Sequence, residues 1–312
     1  MLLCELLVKA SWHSCDTPIA HCAISLYTEN IFCGCKCMRI YGIDFTSAPS
    51  PRKPITCAIC ELQANRLSVQ NCVKLVTFGD FEIFLRSNGP WMAALDFPFG
   101  QPFNLISNLG WPENWEDYVW MISSMGKQEF EATLKRYKDG RAIGKKLHLR
   151  ITDELVGARS PMMLHRVPVG KMFFEGAPRL LEANVCVVPC RPVEDNRIVV
   201  EGYPALVARR FVGKQSYKSD DRGSQTRERE MARREIVHGL RSAEVEKWYG
   251  LRIELSDEMN ERMVDDPRGD ELDAVLCSIQ GGWAWQQKFN NYTFPGAYVR
   301  SEGWIADPAT AK

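Results

Sequence analysis

Residues 38–48 read MRIYGIDFTSA: a methionine, a short apolar run, one aspartate and a turn of small residues. The run has the character of a buried strand, and Asp44 stands where that strand ends. An unpaired carboxylate in such a place is costly, so Asp44 requires a partner or a pocket. Which partner it finds depends on what other elements bring to the same strand end.

Two further strand-like segments, ITCAICELQ (55–63) and LSVQNCVKLV (67–76), are joined by a short Asn65-Arg66 turn, which predicts an antiparallel meander. In TFGDFEIFLRSNG (77–89), Thr77 and Asp80 form a capping-box start and Gly89-Pro90 a stop, so a helix is expected. WMAALDFPFG (91–100) is another apolar strand ending in one aspartate, Asp96, and RIVVEGYP (197–204) is a third ending in Glu201. In DDPRGDELDAVLCSIQGGWAWQQ (265–287), Pro267 and acidic residues precede an apolar helical run. Asp270 and Asp273, three apart, share one face of that helix. Residues 101–195 hold helical stretches at Trp111–Met125 and Gly126–Tyr137 with recurring tryptophan and phenylalanine. No flexible linker borders them, so they read as a mainly helical insertion over the sheet within one domain spanning 38–312.

Strand ends of an open α/β sheet converge on one edge, where ligands bind. Carboxylates gathered there repel one another unless a cation neutralises them, and oxygen donors suit Mg2+ or Mn2+. The expected partner of Asp44 is therefore a metal. The order of meander, helix, strand, helices, strand and acidic final helix is that of an RNase H-like fold, with antiparallel and parallel strands in one mixed sheet.

The strings GIDFTSAPSPRKP (42–54), LDFPFG (95–100), SPMMLHRVPVGKMFF (160–174), VVEGYPA (199–205) and GDELDAVLCSIQ (269–280) together resemble the domain of unknown function 429 family, a group of predicted RNase H-fold nucleases. The resemblance runs from about residue 39 to 287. It implies a metal-dependent nuclease in which Asp44, Asp96, Glu201 and Asp273 match the acidic catalytic positions and Asp270 is a supporting metal ligand. The chemistry expected is a carboxylate-held two-metal centre, with ions roughly 4 Å apart, hydrolysing a phosphodiester bond.

Each acid has a plainer role to set against this. Asp44 and Asp96 are also natural turn formers, Glu201 precedes a Gly-Tyr-Pro turn, and Asp270 is equally suited to cap its helix. Residues 209–241 carry ten Lys and Arg against five Asp and Glu. Lys214, Lys218, Arg227, Arg233 and Arg234 are the candidates for holding a nucleic-acid backbone, while interleaved glutamates favour a solvated helix laced with ion pairs. Trp111 and Trp115 are candidate base-stacking side chains, or core. Neither the choice of RNA or DNA nor the oligomeric state is written in the sequence.

The 312 residues are 45% hydrophobic and 25% charged with zero formal net charge, so no global field draws the chain to a polyanion. No apolar run reaches the roughly 20 residues that span a bilayer, and no secretory signal is evident, so a cytoplasmic protein without a membrane partner is expected. Six of twelve cysteines (Cys4, Cys15, Cys22, Cys33, Cys35, Cys37) precede Met38, in a segment without sustained periodicity. That segment, 1–37, reads as a non-essential extension before a start at Met38, and the alternate spacing of Cys33, Cys35 and Cys37 is unlike usual zinc loops. Cys57 and Cys60 have CxxC spacing, but on a strand they point to opposite faces. No Walker A motif or GxGxxG fingerprint is present. The competing classes are a kinase-like phosphotransferase of the actin and sugar-kinase type, disfavoured by prolines where phosphate loops need amides, and a non-catalytic nucleic-acid-binding or scaffold protein.

Overall fold

The computed structural model describes residues 37–288 and 300–311. The predicted extension therefore lies outside the described residues, except for exposed Cys37. Strands β1 (Met38–Asp44), β2 (Ile55–Gln63) and β3 (Arg66–Leu75) form the antiparallel meander. The turn is Ala64-Asn65, one residue earlier than expected, because Arg66 already pairs with Gln63. Parallel strands complete a seven-stranded mixed sheet: β4 (Trp91–Leu95), β5 (Cys186–Val188), β6 (Arg197–Glu201) and β7 (Arg252–Glu254), in the order β5-β6-β4-β1-β2-β3-β7.

Helices cover both faces. On one side pack α1 (Phe78–Leu85) and the insertion helices α2 (Phe103–Asn108) and α3 (Trp115–Asp139), followed by the short α4 (Ile151–Val156), which contributes to neither apolar core, and by α5 (Val169–Glu182), which packs on that same side. The capping box of α1 forms as its sequence requires: Asp80 N donates to Thr77 Oγ1 at 3.1 Å and Thr77 N donates to Asp80 Oδ2 at 2.9 Å. Helix α3 begins under an Asn114 cap and kinks at Gly126, where φ is 78°, which accounts for the two helical stretches read in the sequence. The insertion also supplies β5, so it extends the sheet as well as covering it.

On the other face lie α6 (Pro204–Val212), α7 (Arg227–Leu240), α8 (Ala243–Tyr249), α9 (Asp257–Asp265) and α10 (Asp270–Gln287). Helix α10 is buried from Asp270 to Ala284, the behaviour of a helix enclosed by sheet and neighbours. The two apolar cores are separated by the sheet: Ile40, Met92 and Ala94 face α10, whereas Tyr41, Ile43, Ala93 and Leu95 face the insertion. Cys57 and Cys60 fall in opposite cores, as strand alternation demands. Among the described residues no helix is long and apolar enough to cross a membrane.

Candidate metal centre

Parallel pairing places Ile43 of β1 beside Leu95 of β4, and Asp96 N donates to Ile43 O at 2.9 Å. Asp44 and Asp96 therefore leave neighbouring strands side by side, on the face that carries α10. Asp273 lies in the first turn of α10, where the helix N-terminus favours a carboxylate. One carboxylate oxygen from each of Asp44, Asp96 and Asp273 lies within 4.8 Å of the other two. Among the described residues this is the one group of three or more acidic, histidine or cysteine ligands with metal-holding spacing.

The close helix approach has a local cause. An added Cβ on Gly42 would collide with the backbone of Ala274 and Ser278, so only glycine lets α10 descend onto β1 at this level. Gly269, with φ at 70°, is the N-cap of α10 and Asp270 is its first helical residue. Asp270 thus does not fill the capping position. It is nine-tenths buried beside the cluster, and its Oδ2 has no hydrogen-bond partner, Arg268 Nε standing 3.5 Å away.

Asp44 and Asp96 keep part of their surface accessible, yet the surrounding protein desolvates both carboxyls. Burial first, then the charges of Asp96 and Asp270, push Asp44 up to about 8, against the pull of Lys218 and Lys53. Burial and the charge of Glu201 push Asp96 up to about 6, again opposed by Lys218. Asp273 is fully buried; Tyr217 Oη donates to its Oδ1 at 2.6 Å, and Lys218 Nζ contacts its Oδ2.

Glu201 is not brought into this cluster. It pairs in register with Leu95, so it shares Leu95's face, and the β6 residue level with Asp96 is Gly202. On that opposite face Arg150 holds it with two bonds, Nη1 to Oε2 at 2.7 Å and Nη2 to Oε1 at 2.6 Å, while Phe99 N donates to Oε2 at 2.9 Å. Arg150 also binds Asp153 and is 2% exposed, so the trio is a buried ion network bracing the insertion against the sheet. The sequence gives no local sign of Arg150's role, because its partner lies 51 residues away.

The basic candidates separate similarly. Lys218 is at the cluster, and Lys214 and Arg227 are exposed. Arg234 is exposed and paired with Glu230 at 2.8 Å. Arg233 is turned inward, donating to Val264 O at 2.7 Å and Tyr217 O at 2.8 Å, and so cannot face a phosphate. Trp111 and Trp115 are buried in the insertion core, where Trp115 Nε1 donates to Phe99 O at 2.6 Å, and neither offers a stacking platform. No family model, curated protein or solved structure matches the chain.

Proposed function

We propose that the chain is a metal-dependent nuclease of RNase H-like fold, of the kind the domain of unknown function 429 family is predicted to contain. The observation that carries this reading is the convergence of Asp44, Asp96 and Asp273 within 4.8 Å at the ends of two parallel strands and the start of a buried helix. Three hard oxygen donors in a partly desolvated site fit Mg2+ or Mn2+, and the orphaned Oδ2 of Asp270 beside them fits a supporting, water-bridged role. When bound, such an ion supplies Lewis acidity at the phosphate and lowers the pKa of coordinated water.

The chain's own residues orient and hold. Strand pairing fixes Asp44 against Asp96, and Tyr217 fixes the Asp273 carboxylate by its hydroxyl. Arg150 keeps Glu201 on the far face, where its charge still raises the proton affinity of Asp96. RNA or DNA is the proposed substrate, approached by the accessible Lys53, Lys214, Lys218 and Arg227.

Labelled single- and double-stranded RNA and DNA incubated with the full chain test this directly. Cleavage is expected with Mg2+ or Mn2+, and none in EDTA or with Asp44→Asn. Thermal or urea denaturation gives a second readout: Mn2+ at a hundredfold excess over its dissociation constant stabilises the wild type by about 2.7 kcal/mol, and Asp44→Asn removes most of that gain. Equal metal shifts in both proteins would sink the assignment of Asp44.

A further inference from the structure

Among the described residues, Lys218 does something no other cation near the cluster does: its Nζ contacts a fully buried carboxylate of the candidate centre, at Asp273 Oδ2. We infer that the Lys218 ammonium is a resident counter-cation of the carboxylate cluster, which a divalent ion must displace from Asp273 in order to bind. This rests on the reading of the cluster as a metal centre.

Both oxygens of Asp273 are engaged by consecutive residues of one loop, Oδ1 by the Tyr217 hydroxyl and Oδ2 by Lys218. The lysine is also within electrostatic reach of Asp96, and of Asp44 and Asp270, which it shares with Lys53. An ammonium and a divalent ion on one carboxylate oxygen repel each other and contend for the same lone pairs. Asp270 supplies an independent sign of a polar ligand: it is nine-tenths buried beside the cluster, and its Oδ2 accepts no hydrogen bond, Arg268 Nε standing 3.5 Å away.

The structure also provides a way out for the side chain. Lys218 is 40% exposed along its side chain, whereas Arg150, the structural cation of the opposite face, is 2% exposed. Its stem passes over Gly269, where an added Cβ would come within 3.2 Å of Lys218 Cβ. The loop backbone is tied down on both sides, by Arg233 Nη1 donating to Tyr217 O at 2.8 Å and by Ser219 N donating to Pro267 O at 3.0 Å. Release is therefore a rotation of one flexible side chain over a fixed loop.

Mn2+ titration of the full chain, followed by the free-ion electron paramagnetic resonance signal, tests the inference on the wild type, Lys218→Gln and Lys218→Arg. The neutral variant should bind Mn2+ at least about fivefold more tightly, the lower end of ordinary coupling between two ligands, while arginine should leave affinity near that of the wild type. In the wild type, amine acylation of Lys218 followed by peptide mass spectrometry should be faster in Mg2+ than in EDTA, with exposed Lys214 as an unchanged reference. Should Lys218→Gln fail to fold, the acylation rates decide alone. Mn2+ affinity equal or weaker in a cooperatively melting Lys218→Gln, or acylation indifferent to Mg2+, would overturn the inference while leaving the metal centre standing. Absence of Mn2+ binding in every protein would remove both.

Discussion

Gly42 of β1 lies so close to α10 that a Cβ on it would stand 1.9 Å from the carbonyl oxygen of Ala274 and 2.3 Å from the amide nitrogen of Ser278. Those atoms are backbone and cannot rotate away. The contact sets the height of Asp273, the residue before Ala274, over Asp44, two residues beyond Gly42.

Gly42→Ala should accordingly force strand and helix apart. The expected loss is about 3 kcal/mol or more, the upper range for overpacking, together with loss of the Mn2+-dependent stabilisation. Urea denaturation with and without Mn2+ measures both. A change within about 0.5 kcal/mol, as at an indifferent surface site, would show that the close approach is dispensable.

The raised carboxyls fix the sign of a pH dependence in metal-free protein. Asp44 moves from 3.8 to about 8 and Asp96 from 3.8 to about 6, so the folded state holds protons that the unfolded state has released. The resulting penalty is absent below the lower value, grows as pH rises through this window, and is complete above about 8. In EDTA the urea midpoint should therefore be lower at pH 8 than at pH 6, and Asp44→Asn should flatten that fall. A wild-type slope unaltered by Asp44→Asn would contradict the assignment.

Glu201→Gln distinguishes a brace from a ligand. Removing one charge from the buried Arg150 network should cost about 3 kcal/mol, since Arg150 is left only partly compensated. The Mn2+-dependent shift should survive, because Glu201 faces away from Asp44 and Asp273. Loss of that shift in a folded Glu201→Gln protein would return Glu201 to the metal.

Arg233→Ala should lower the melting midpoint, since it strips the donors from two backbone carbonyls, Val264 O and Tyr217 O. It should leave the salt dependence of nucleic-acid binding unchanged. Lys214→Ala with Arg227→Ala, both at exposed positions, should flatten that dependence by up to about two units of slope and leave the melting midpoint alone. Flattening by Arg233→Ala instead would place its guanidinium at the substrate.

The sequence by itself determined the local features. The apolar runs ending at Asp44 and Asp96 specify strands with a carboxylate at the end, Thr77 and Asp80 specify a helix start, and the acidic turn before an apolar run specifies α10 with Asp273 in its first turn. These are legible because period, capping and turn chemistry act over a few residues. Tertiary structure decided which features meet. Glu201 also ends a strand, but the register of β6 against β4 sets its side, and one residue of offset sends it to Arg150 instead of Asp273. Arg233, Trp111 and Trp115 carry the composition of a nucleic-acid surface and are buried, because packing chooses which face of a helix or loop turns inward. Lys218 reads as one more basic residue until Gly269 is brought against it, and Asp273 from 55 positions along the chain. Contacts at such separations depend on sheet order and register, which no short stretch encodes.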